Sequence, residues 1–370
     1  MDELAREEAV QNEKLEQDPQ PTEEASPAPH VDEEVVAESE AVIDQFLSET
    51  GAPAATVAVE EGEEIPWYEE PLPEGHRSGF VALIGRPNVG KSTLVNALIG
   101  QKVAIVSPKP QATRRRITGI LTEPDQQLIF IDTPGIHQNP RHRLNELMIE
   151  QAVEAIPDAD VLLFVVDVSK RPTSEDRQIA QILKEKGGDR PVIFVLNKMD
   201  RLPLRKAERH IESYWALFPD YEDSIPTSAL EGTNVDLLKA HLLDHVPEGP
   251  RYYPGEQITD QTEHQIAAEL IREALFKYMY QEVPHALAVL VEDYDVRENG
   301  VVYISARIWV ERESHKPIII GRGGKRLKEV GTVARQELER FIGGPIYLDL
   351  WVKVKSGWRN HEARLHELGF

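Results

Sequence analysis

A chain of 370 residues is long enough for two domains, and its formal net charge of -23 at pH 7 is unevenly spread. Residues 1–78 hold 23 of the 64 acidic residues but only three of the 41 basic ones, so most of the excess negative charge lies in the first fifth. Cysteine is absent, which excludes disulfides, thiolate zinc fingers and thiol catalysis. The start is too acidic for a signal peptide, and no apolar run approaches the roughly 18 residues of a membrane span, so we expect a cytosolic protein.

Residues 1–78 are rich in Glu, Ala and Pro and poor in apolar residues, a composition that cannot offset the entropy of ordering. We therefore predict a disordered acidic extension. Within it, AVIDQFL (residues 41–47) could form a short amphipathic helix, although an isolated helix of that length is marginal in water. The extension is either a solvated tail or a docking arm whose charge mimics a nucleic acid.

Residues 79–247 alternate short apolar runs with helical patterns. QLIFID and PVIFVLN are typical of buried strands, and RLNELMIEQAVEAI is typical of an amphipathic helix. This alternation predicts an α/β domain whose mostly parallel sheet is covered on both faces. The following stretch, PEGPRYYPGEQ, has three prolines and two glycines and predicts a linker at residues 248–258.

The first motif is GRPNVGKS, residues 85–92, which follows a strand, opens a helix and fits G-x-x-x-x-G-K-[ST] in full. In such a loop, backbone N–H groups cradle phosphates, Lys91 reaches the β- and γ-phosphates, and the Ser92 hydroxyl binds Mg²⁺. The pattern predicts a nucleoside triphosphate site. Its predicted members are Gly85, Arg86, Pro87, Asn88, Val89, Gly90, Lys91 and Ser92.

The second motif is DTPG, residues 132–135, at the end of the strand QLIFID. Here Asp132 can hold a magnesium-bound water, and the Gly135 N–H can sense the γ-phosphate. Ile136 follows, where a glutamine would orient the attacking water. An apolar side chain cannot do so, and we predict slow hydrolysis without another device. The predicted contacts of this segment are Asp132, Thr133, Pro134, Gly135 and Ile136.

The third motif is NKMD, residues 197–200, at the carboxyl edge of the predicted sheet. A carboxylate at Asp200 can accept both the N1–H and the N2 amine of guanine, and adenine lacks that donor pair, so GTP is preferred over ATP. Asn197 is predicted to brace neighbouring loops, and SAL (228–230) to offer the Ala229 N–H to guanine O6. Lys198, Met199 and Ser228 complete this predicted site.

Between the first two motifs lies SPKPQATRRRITG, residues 107–119, which is typical of a mobile basic loop. A threonine hydroxyl is needed there to complete the magnesium shell when the γ-phosphate is present. The candidates are Thr113 and Thr118, and we choose Thr113, just before the basic run. The predicted metal ligands are therefore Ser92, Thr113 and Asp132.

Residues 259–370 have a different order of helical and strand patterns, which predicts a small α+β domain. The segment from Ser305 to the end contains 13 Lys and Arg but only eight Asp and Glu, which is a local excess of positive charge. The strand IYLDLWVKVK alternates Leu348, Leu350 and the following valines with Asp349, Trp351 and lysines. One face should enter the core; the other is either solvated or a contact for RNA or for the first domain.

A second glycine loop, GRGGKR, lies at residues 321–326. It lacks the Ser or Thr and the first glycine of a phosphate loop, and Arg326 replaces the third glycine of a dinucleotide fingerprint. It does fit the G-x-x-G loop of a KH module, which clamps the backbone of about four unpaired nucleotides. The predicted RNA contacts are Gly321, Arg322, Gly323, Gly324, Lys325, Arg326 and Lys328.

With these motifs in order, together with DTPGIH and LWVKVKSGW, residues 79–370 resemble the Era family of bacterial GTPases along their whole length. The resemblance implies a Ras-like P-loop GTPase domain and a type II KH domain. It also implies GTP and GDP as ligands, binding to the 3′ end of 16S ribosomal RNA, a role in 30S subunit assembly, and peripheral association with the inner face of the cell membrane. A monomer is expected.

The resemblance also implies roles for single residues. It puts magnesium on Ser92 and Thr113 and guanine recognition on Asn197 and Asp200. Relatives without the glutamine hold a potassium ion with an asparagine of the loop, which is Asn88 here, so the catalytic group is Lys91, Thr113 and Asn88. The family often has QTTR where this chain has QATR, which favours Thr113 as the metal ligand.

Two functions stay open. In one, GTP orders the loops, the KH groove holds RNA, and hydrolysis resets the affinity. In the other, the chain is an RNA chaperone whose GTPase domain is mainly structural. The intact set of Lys91, Ser92, Thr113 and Asp132 favours the first.

Overall fold

The computed structural model describes residues 66–68, 70–138 and 140–370. The predicted disordered extension up to residue 65, including residues 41–47, lies outside them. The sequence predicts that this extension ends at residue 78, whereas the first strand begins at Arg77. Arg77 and Ser78 pair with Gln126 and Gln127 of a neighbouring strand, so they are part of the first domain.

The first domain is built on a six-stranded sheet of order β2-β3-β1-β4-β5-β6. All neighbouring strands are parallel except β2 and β3. Its elements are β1 (Arg77–Ile84), α1 (Lys91–Ile99), β2 (Ile117–Glu123), β3 (Gln126–Asp132), α2 (Arg143–Glu154), β4 (Val161–Asp167), α3 (Ser174–Lys186), β5 (Val192–Asn197), α4 (Ala207–Trp215), β6 (Asp223–Pro226) and α5 (Val235–His245).

Both faces of this sheet are buried, as the apolar runs predict. In β1, Val81 and Leu83 join a cluster with α1 and α5, whereas Ala82 and Ile84 join a second cluster with α2, α3 and α4. Alternate residues of one strand thus enter opposite cores, which explains why the strand has no polar face. The predicted α/β architecture is confirmed, and it leaves the carboxyl ends of β1, β3, β4 and β5 at one edge.

The second domain is a three-stranded sheet of order β7-β8-β9, with most of its helices packed on one face and its last helix, together with residues of α2, packed on the other. The strands β7 and β8 are antiparallel, and β8 and β9 are parallel. Its elements are α6 (Glu263–Tyr278), β7 (Leu287–Val296), β8 (Val302–Val310), α7 (Lys316–Ile320), α8 (Lys325–Ile342), β9 (Ile346–Val354) and α9 (Glu362–Glu367). This is the predicted small α+β domain.

Helix α8 and strand β9 frame the groove of the second domain. On α8, Val330, Ala334 and Leu338 are buried, whereas Phe341 in the last turn is 37% exposed. On β9, the predicted inward face that begins with Leu348 and continues in steps of two is only half-buried. The reason is position: β9 is an edge strand, so part of its inner face opens towards solvent.

The predicted linker is fixed to the first domain. The Gly249 N–H donates to the His76 carbonyl, and the N–H groups of Tyr252 and Tyr253 donate to the side-chain oxygen of Gln127. Among the described residues, the two domains belong to one compact unit. No helix of this part of the chain has both the length and the apolar character that crossing a membrane requires.

Replacing Leu238 by alanine should lower the free energy of unfolding by about 2–5 kcal/mol, because Leu238 is fully buried between α5 and the sheet. Its neighbour Leu237 is 47% exposed on the same helix, and the same replacement there should change stability by about 0.5 kcal/mol or less. Urea unfolding of the full chain, followed by circular dichroism, compares the two variants. Equal effects would contradict this orientation of α5.

Candidate nucleotide site and nucleic-acid interface

The predicted phosphate loop lies between β1 and α1. Gly90 has φ 105° and precedes the helix, a left-handed conformation that residues with a Cβ rarely adopt, and a Cβ there would lie 2.3 Å from the Asn197 amide nitrogen. The Lys91 ammonium folds over the loop and donates to the carbonyls of Gly85 (3.0 Å) and Arg86 (3.2 Å). These contacts fix the loop around the helix N-terminus, where an anion is favoured.

The charges of Lys91 and Asp132 are both buried at this loop. Burial lowers the pKa of Lys91 to about 8, and Asp132 partly opposes the shift. Burial raises the pKa of Asp132, opposed by Lys91 and by the hydroxyls of Ser92 and Thr113. A bound triphosphate would bring further negative charge towards Lys91 and stabilise its ammonium form.

The three predicted metal ligands converge. Ser92 Oγ lies 2.7 Å from Thr113 Oγ1 and 2.6 Å from Asp132 Oδ2, and Thr113 Oγ1 lies 3.2 Å from the same carboxylate oxygen. Asp132 Oδ1 is buried and has no hydrogen-bond partner among the described residues. This all-oxygen set fits Mg²⁺, which completes its shell with water and phosphate oxygens. Thr118, the other candidate, lies instead within β2.

Arg86 serves the loop differently from its neighbours. Its Nε lies 3.1 Å from both carboxylate oxygens of Asp176, and Asp176 is fully buried where it caps α3 together with Thr173. The guanidinium therefore ties the phosphate loop to α3. Because the Arg86 side chain is bound to Asp176, only the backbone of Arg86 remains for the predicted contact with the nucleotide.

The segment after β3 lies against the phosphate loop. The Thr133 hydroxyl donates to the Leu83 carbonyl (2.6 Å), and the Ile136 N–H donates to the Gly85 carbonyl (3.3 Å). A Cβ on Gly135 would lie 2.5 Å from the Pro87 nitrogen, so the two loops are in close contact. The Ile136 side chain is fully buried, and the position of the missing glutamine therefore faces the core.

The guanine motifs meet at the ends of β5 and β6. Asn197 donates to the Val89 carbonyl (2.8 Å) and accepts from the Ala229 N–H (3.0 Å), which is the bracing role that the sequence predicts. Asp200 accepts from the Ser228 hydroxyl (2.7 Å). In this arrangement the Ala229 N–H is bound to Asn197 and is not directed at a base, which differs from the expected donation to guanine O6.

A cavity of about 520 Å³ joins the phosphate loop to the guanine motifs, and a smaller one of about 50 Å³ lies at the phosphate end. The larger volume is within the range of small-molecule sites. Some lining residues have no contact predicted from the sequence: Thr93, Val106, Ser107, Pro108, Asp167, Lys170, Arg201 and Leu230. Only Asp167 could have been found, since it ends β4 at the same sheet edge as the motifs.

Residues 107–116, which we name the bridging segment, connect this site to the second domain. Thr113 faces the metal ligands, while the adjacent Arg114 is 4% exposed and donates to the carbonyls of Leu287 (2.7 Å), Pro284 (3.1 Å) and His285 (3.2 Å). Arg272 of α6 donates to the Ala112 carbonyl (2.5 Å). The loop that carries the candidate magnesium ligand is thus held by the second domain on both sides of Thr113.

The buried guanidinium of Arg114 is electrostatically costly. Burial lowers its pKa well below that of a free guanidinium, and the nearby positive charge of Arg272 acts in the same direction. Three carbonyl oxygens and the ring of Trp358, 5.8 Å away, compensate the charge. The contact is therefore stable only while the second domain supplies these partners.

The second glycine loop joins α7 to α8, as a KH module requires. Gly321, Gly323 and Gly324 have φ of 76°, 59° and 76°, and a Cβ on Gly323 or Gly324 would meet nothing within 4 Å. The outer side of the loop is therefore open to another backbone. Of the predicted basic contacts, Arg322, Lys325 and Lys328 are exposed, whereas Arg326 donates to the Ile318 carbonyl (2.7 Å).

Beside this loop, a groove of about 510 Å³ lies between α8 and β9. Its apolar wall explains why the inner face of β9 is only half-buried. Its lining residues are Gly324, Leu327, Lys328, Gly331, Thr332, Arg335, Leu348 and Leu350. The sequence analysis assigned no contact to Gly331, Thr332 or Arg335, because helical spacing alone does not identify which side of α8 faces β9. Trp351, on the other face of β9, is 58% exposed as predicted.

Comparison with known proteins agrees with both halves of this geometry. The family model described as a 50S ribosome-binding GTPase matches residues 80–198, and that of the KH domain matches residues 282–359. GTPase Era of Clostridium botulinum is 46% identical over 294 residues, covering 80% of this chain and 98% of the relative. GTPase Era of Caldanaerobacter subterraneus is 49% identical over 296 residues, with the same shares covered.

Two solved Era structures have the same fold at a TM-score of 0.75 and 39% sequence identity, and both cover 79% of this chain. One is an Aquifex aeolicus Era variant bound to GDP and aluminium fluoride, matched over 99% of its length. The other is Era in complex with MgGDPNP and nucleotides 1506–1542 of 16S ribosomal RNA, matched over 98%. With the phosphate loop, the guanine motifs and the KH groove all in place, the chain belongs to the GTPase Era family and hydrolyses GTP.

Proposed function

We propose that the chain is a GTP-driven switch that binds the 3′-end region of 16S ribosomal RNA in its KH groove and assists maturation of the 30S subunit. The observation that carries the proposal is the bridging segment, where Thr113 at the nucleotide site and Arg114 in the second domain are consecutive residues. Because the two residues are adjacent, a change of nucleotide that moves Thr113 must also strain the hydrogen bonds of Arg114 to the second domain. Nucleotide state and RNA affinity are then coupled.

Two observations support the choice of RNA: the groove of the second domain and one relative that holds RNA. An open glycine loop beside an apolar groove, flanked by exposed Arg322, Lys325 and Lys328, suits single-stranded RNA whose bases enter the groove. The Era structure that holds nucleotides 1506–1542 of 16S ribosomal RNA supports that choice of RNA. A protein that binds the 3′ end of 16S ribosomal RNA would act on the small ribosomal subunit, and therefore in the cytoplasm.

The nucleotide is GTP because Asp200 offers a carboxylate to the two adjacent donors of guanine. Ser92, Thr113 and Asp132 would hold Mg²⁺ directly or through water, and Lys91 would contact the phosphates. When bound, the metal neutralises charge that develops on the β- and γ-phosphates. The relative that contains MgGDPNP supports this assignment.

Potassium is the further cofactor that we propose. Asn88 has φ 62°, and its Nδ2 donates to the Pro108 carbonyl (2.9 Å), which leaves its Oδ1 able to accept a cation beside the phosphate loop. We also propose that the chain acts as a monomer with peripheral membrane association, as the family resemblance implies.

Replacing Asp200 by asparagine should weaken GTP binding by about tenfold or more, because one of the two guanine donors loses its acceptor. The variant should instead bind xanthosine triphosphate, whose extra ring carbonyl accepts from the new amide. Equilibrium binding of fluorescent analogues of both nucleotides measures the exchange. Asp220→Asn, at an exposed turn, is the matched control and should retain the GTP preference. An unchanged preference in the Asp200 variant would contradict the assigned guanine site.

A labelled single-stranded RNA from the 3′ end of 16S ribosomal RNA should bind the full chain more tightly with a non-hydrolysable GTP analogue than with GDP at fixed salt. Replacing Gly323 by aspartate should abolish binding, because the carboxylate repels phosphates that approach the loop. Gly300→Asp is the matched control: Gly300 also has a positive φ (78°) and open space around it, but lies between β7 and β8. Equal affinity with both nucleotides would favour the RNA chaperone, and no binding would rule out this RNA.

Replacing Arg114 by alanine should reduce the difference in RNA affinity between the GDP and GTP-analogue states while leaving GTP affinity unchanged. The reason is that the bridging segment loses its anchor to three carbonyls of the second domain. The same RNA titration measures the effect, with Arg116→Ala as the control, since Arg116 pairs with the exposed Asp158. If the Arg114 variant keeps the full difference, coupling does not pass through this contact.

A further inference from the structure

Gln111 lies at the phosphate end of the nucleotide site, and nothing above assigns it a role. It lines the same small cavity as Lys91, Ser92, Thr113 and Gly135. It is thus within the group of residues that surround the expected position of the γ-phosphate. The side chain that usually orients the attacking water is absent here, because Ile136 is fully buried.

The backbone of Gln111 is strained. Its φ is 62°, in the left-handed region, which only a few per cent of residues other than glycine occupy. Strain of this kind persists only where the surroundings enforce it, and it is concentrated at functional sites. Here the enforcing contacts lie on the next residues, since Arg272 binds the Ala112 carbonyl and Arg114 is buried in the second domain. The strain therefore fixes where the Gln111 side chain leaves the backbone.

The Gln111 amide is also oriented by a hydrogen bond. Its Nε2 lies 3.3 Å from His137 Nε2, and the other ring nitrogen, His137 Nδ1, lies 3.3 Å from the Gly135 carbonyl. A carbonyl can only accept, so Nδ1 carries the proton and Nε2 accepts from the Gln111 amide. With its nitrogen bound in this way, the amide has its oxygen, Oε1, left to accept a hydrogen bond from water.

We propose that Gln111 orients the attacking water in GTP hydrolysis, in place of the missing glutamine, and that His137 is its positioning residue. The proposal rests on the GTPase activity of the family and names the residue that performs one part of it. Gln111 Oε1 accepts a hydrogen bond from the water but takes no proton.

The step balances without a further reactant. The water oxygen forms a bond to the γ-phosphorus while the bond from that phosphorus to the β–γ bridging oxygen breaks, and GDP leaves with the bond electrons. The proton lost by the water passes to an oxygen of the transferred phosphoryl group, which becomes inorganic phosphate. Orientation of the water lowers the activation barrier because the water is already held in line with the bond that breaks.

The test compares Gln111→Met, which keeps the shape of the side chain but removes the acceptor, with Gln181→Met on the exposed side of α3. Three quantities are measured for the full chain at saturating Mg²⁺ and K⁺: single-turnover hydrolysis, GTP affinity, and binding of GDP with aluminium fluoride, which mimics the transferring phosphoryl group. For Gln111→Met we expect hydrolysis to fall about tenfold or more, aluminium fluoride binding to be lost, and GTP affinity to be unchanged. The Gln181 variant should match the unsubstituted chain in all three.

His137 is tested by a double-mutant cycle. If His137 acts through Gln111, His137→Ala slows hydrolysis, but the double variant is no slower than Gln111→Met alone. Hydrolysis by Gln111→Met at the unsubstituted rate would overturn the proposal, and so would a loss of hydrolysis matched by an equal loss of GTP affinity. An additive double variant would overturn the role of His137. Failure of the unsubstituted chain to hydrolyse GTP would count against the proposed function and not against this residue.

Discussion

The insertion of Arg114 into the second domain is the interaction on which the rest of the arrangement depends. A guanidinium that is almost fully buried, with Arg272 close by, is unfavourable unless it finds hydrogen-bond acceptors. Three carbonyls of one short stretch accept from its two terminal nitrogens, while its Nε has no partner among the described residues. Arg114 reaches those carbonyls only when the two domains are in this relative position. The contact therefore has little tolerance for partial movement, and under the proposed switch a small displacement at the nucleotide site would change how the two domains contact each other.

The nucleotide side is built on the opposite principle, since its parts are held rigidly before any ligand arrives. Lys91 closes the phosphate loop on its own carbonyls, Arg86 ties the loop to α3, and Asn197 braces it against the guanine motifs. These contacts are buried or partly buried, so they restrict movement of the loop in the absence of a ligand. With the loop fixed in this way, the bridging segment is the part that we propose responds to the γ-phosphate.

The sequence predicts those parts of the site that are local. The phosphate loop, DTPG and NKMD are each a short stretch between a strand and a helix or turn, and the apolar runs suffice to bring them to one sheet edge. What it could not predict depends on contacts between distant residues. The Arg86 side chain donates to Asp176, which is 90 positions away, and the Ala229 N–H donates to the Asn197 side chain. Likewise, no spacing rule shows that Arg114 crosses to the second domain or that Thr332 faces the RNA groove, because both depend on how separate elements pack.

The bridging segment holds the proposed water-orienting residue Gln111, the candidate metal ligand Thr113 and the domain contact Arg114 within four residues. Because they share one short backbone, these tasks cannot vary independently. A nucleotide that changes RNA affinity through this segment must, by linkage, have its own affinity changed by RNA to the same extent. Catalysis is not bound by that symmetry, but it requires the same segment to hold Gln111 against His137. Under these proposals, RNA that favours one domain arrangement would also set the fraction of time in which the water is oriented, and the RNA itself would then determine how long the GTP state lasts.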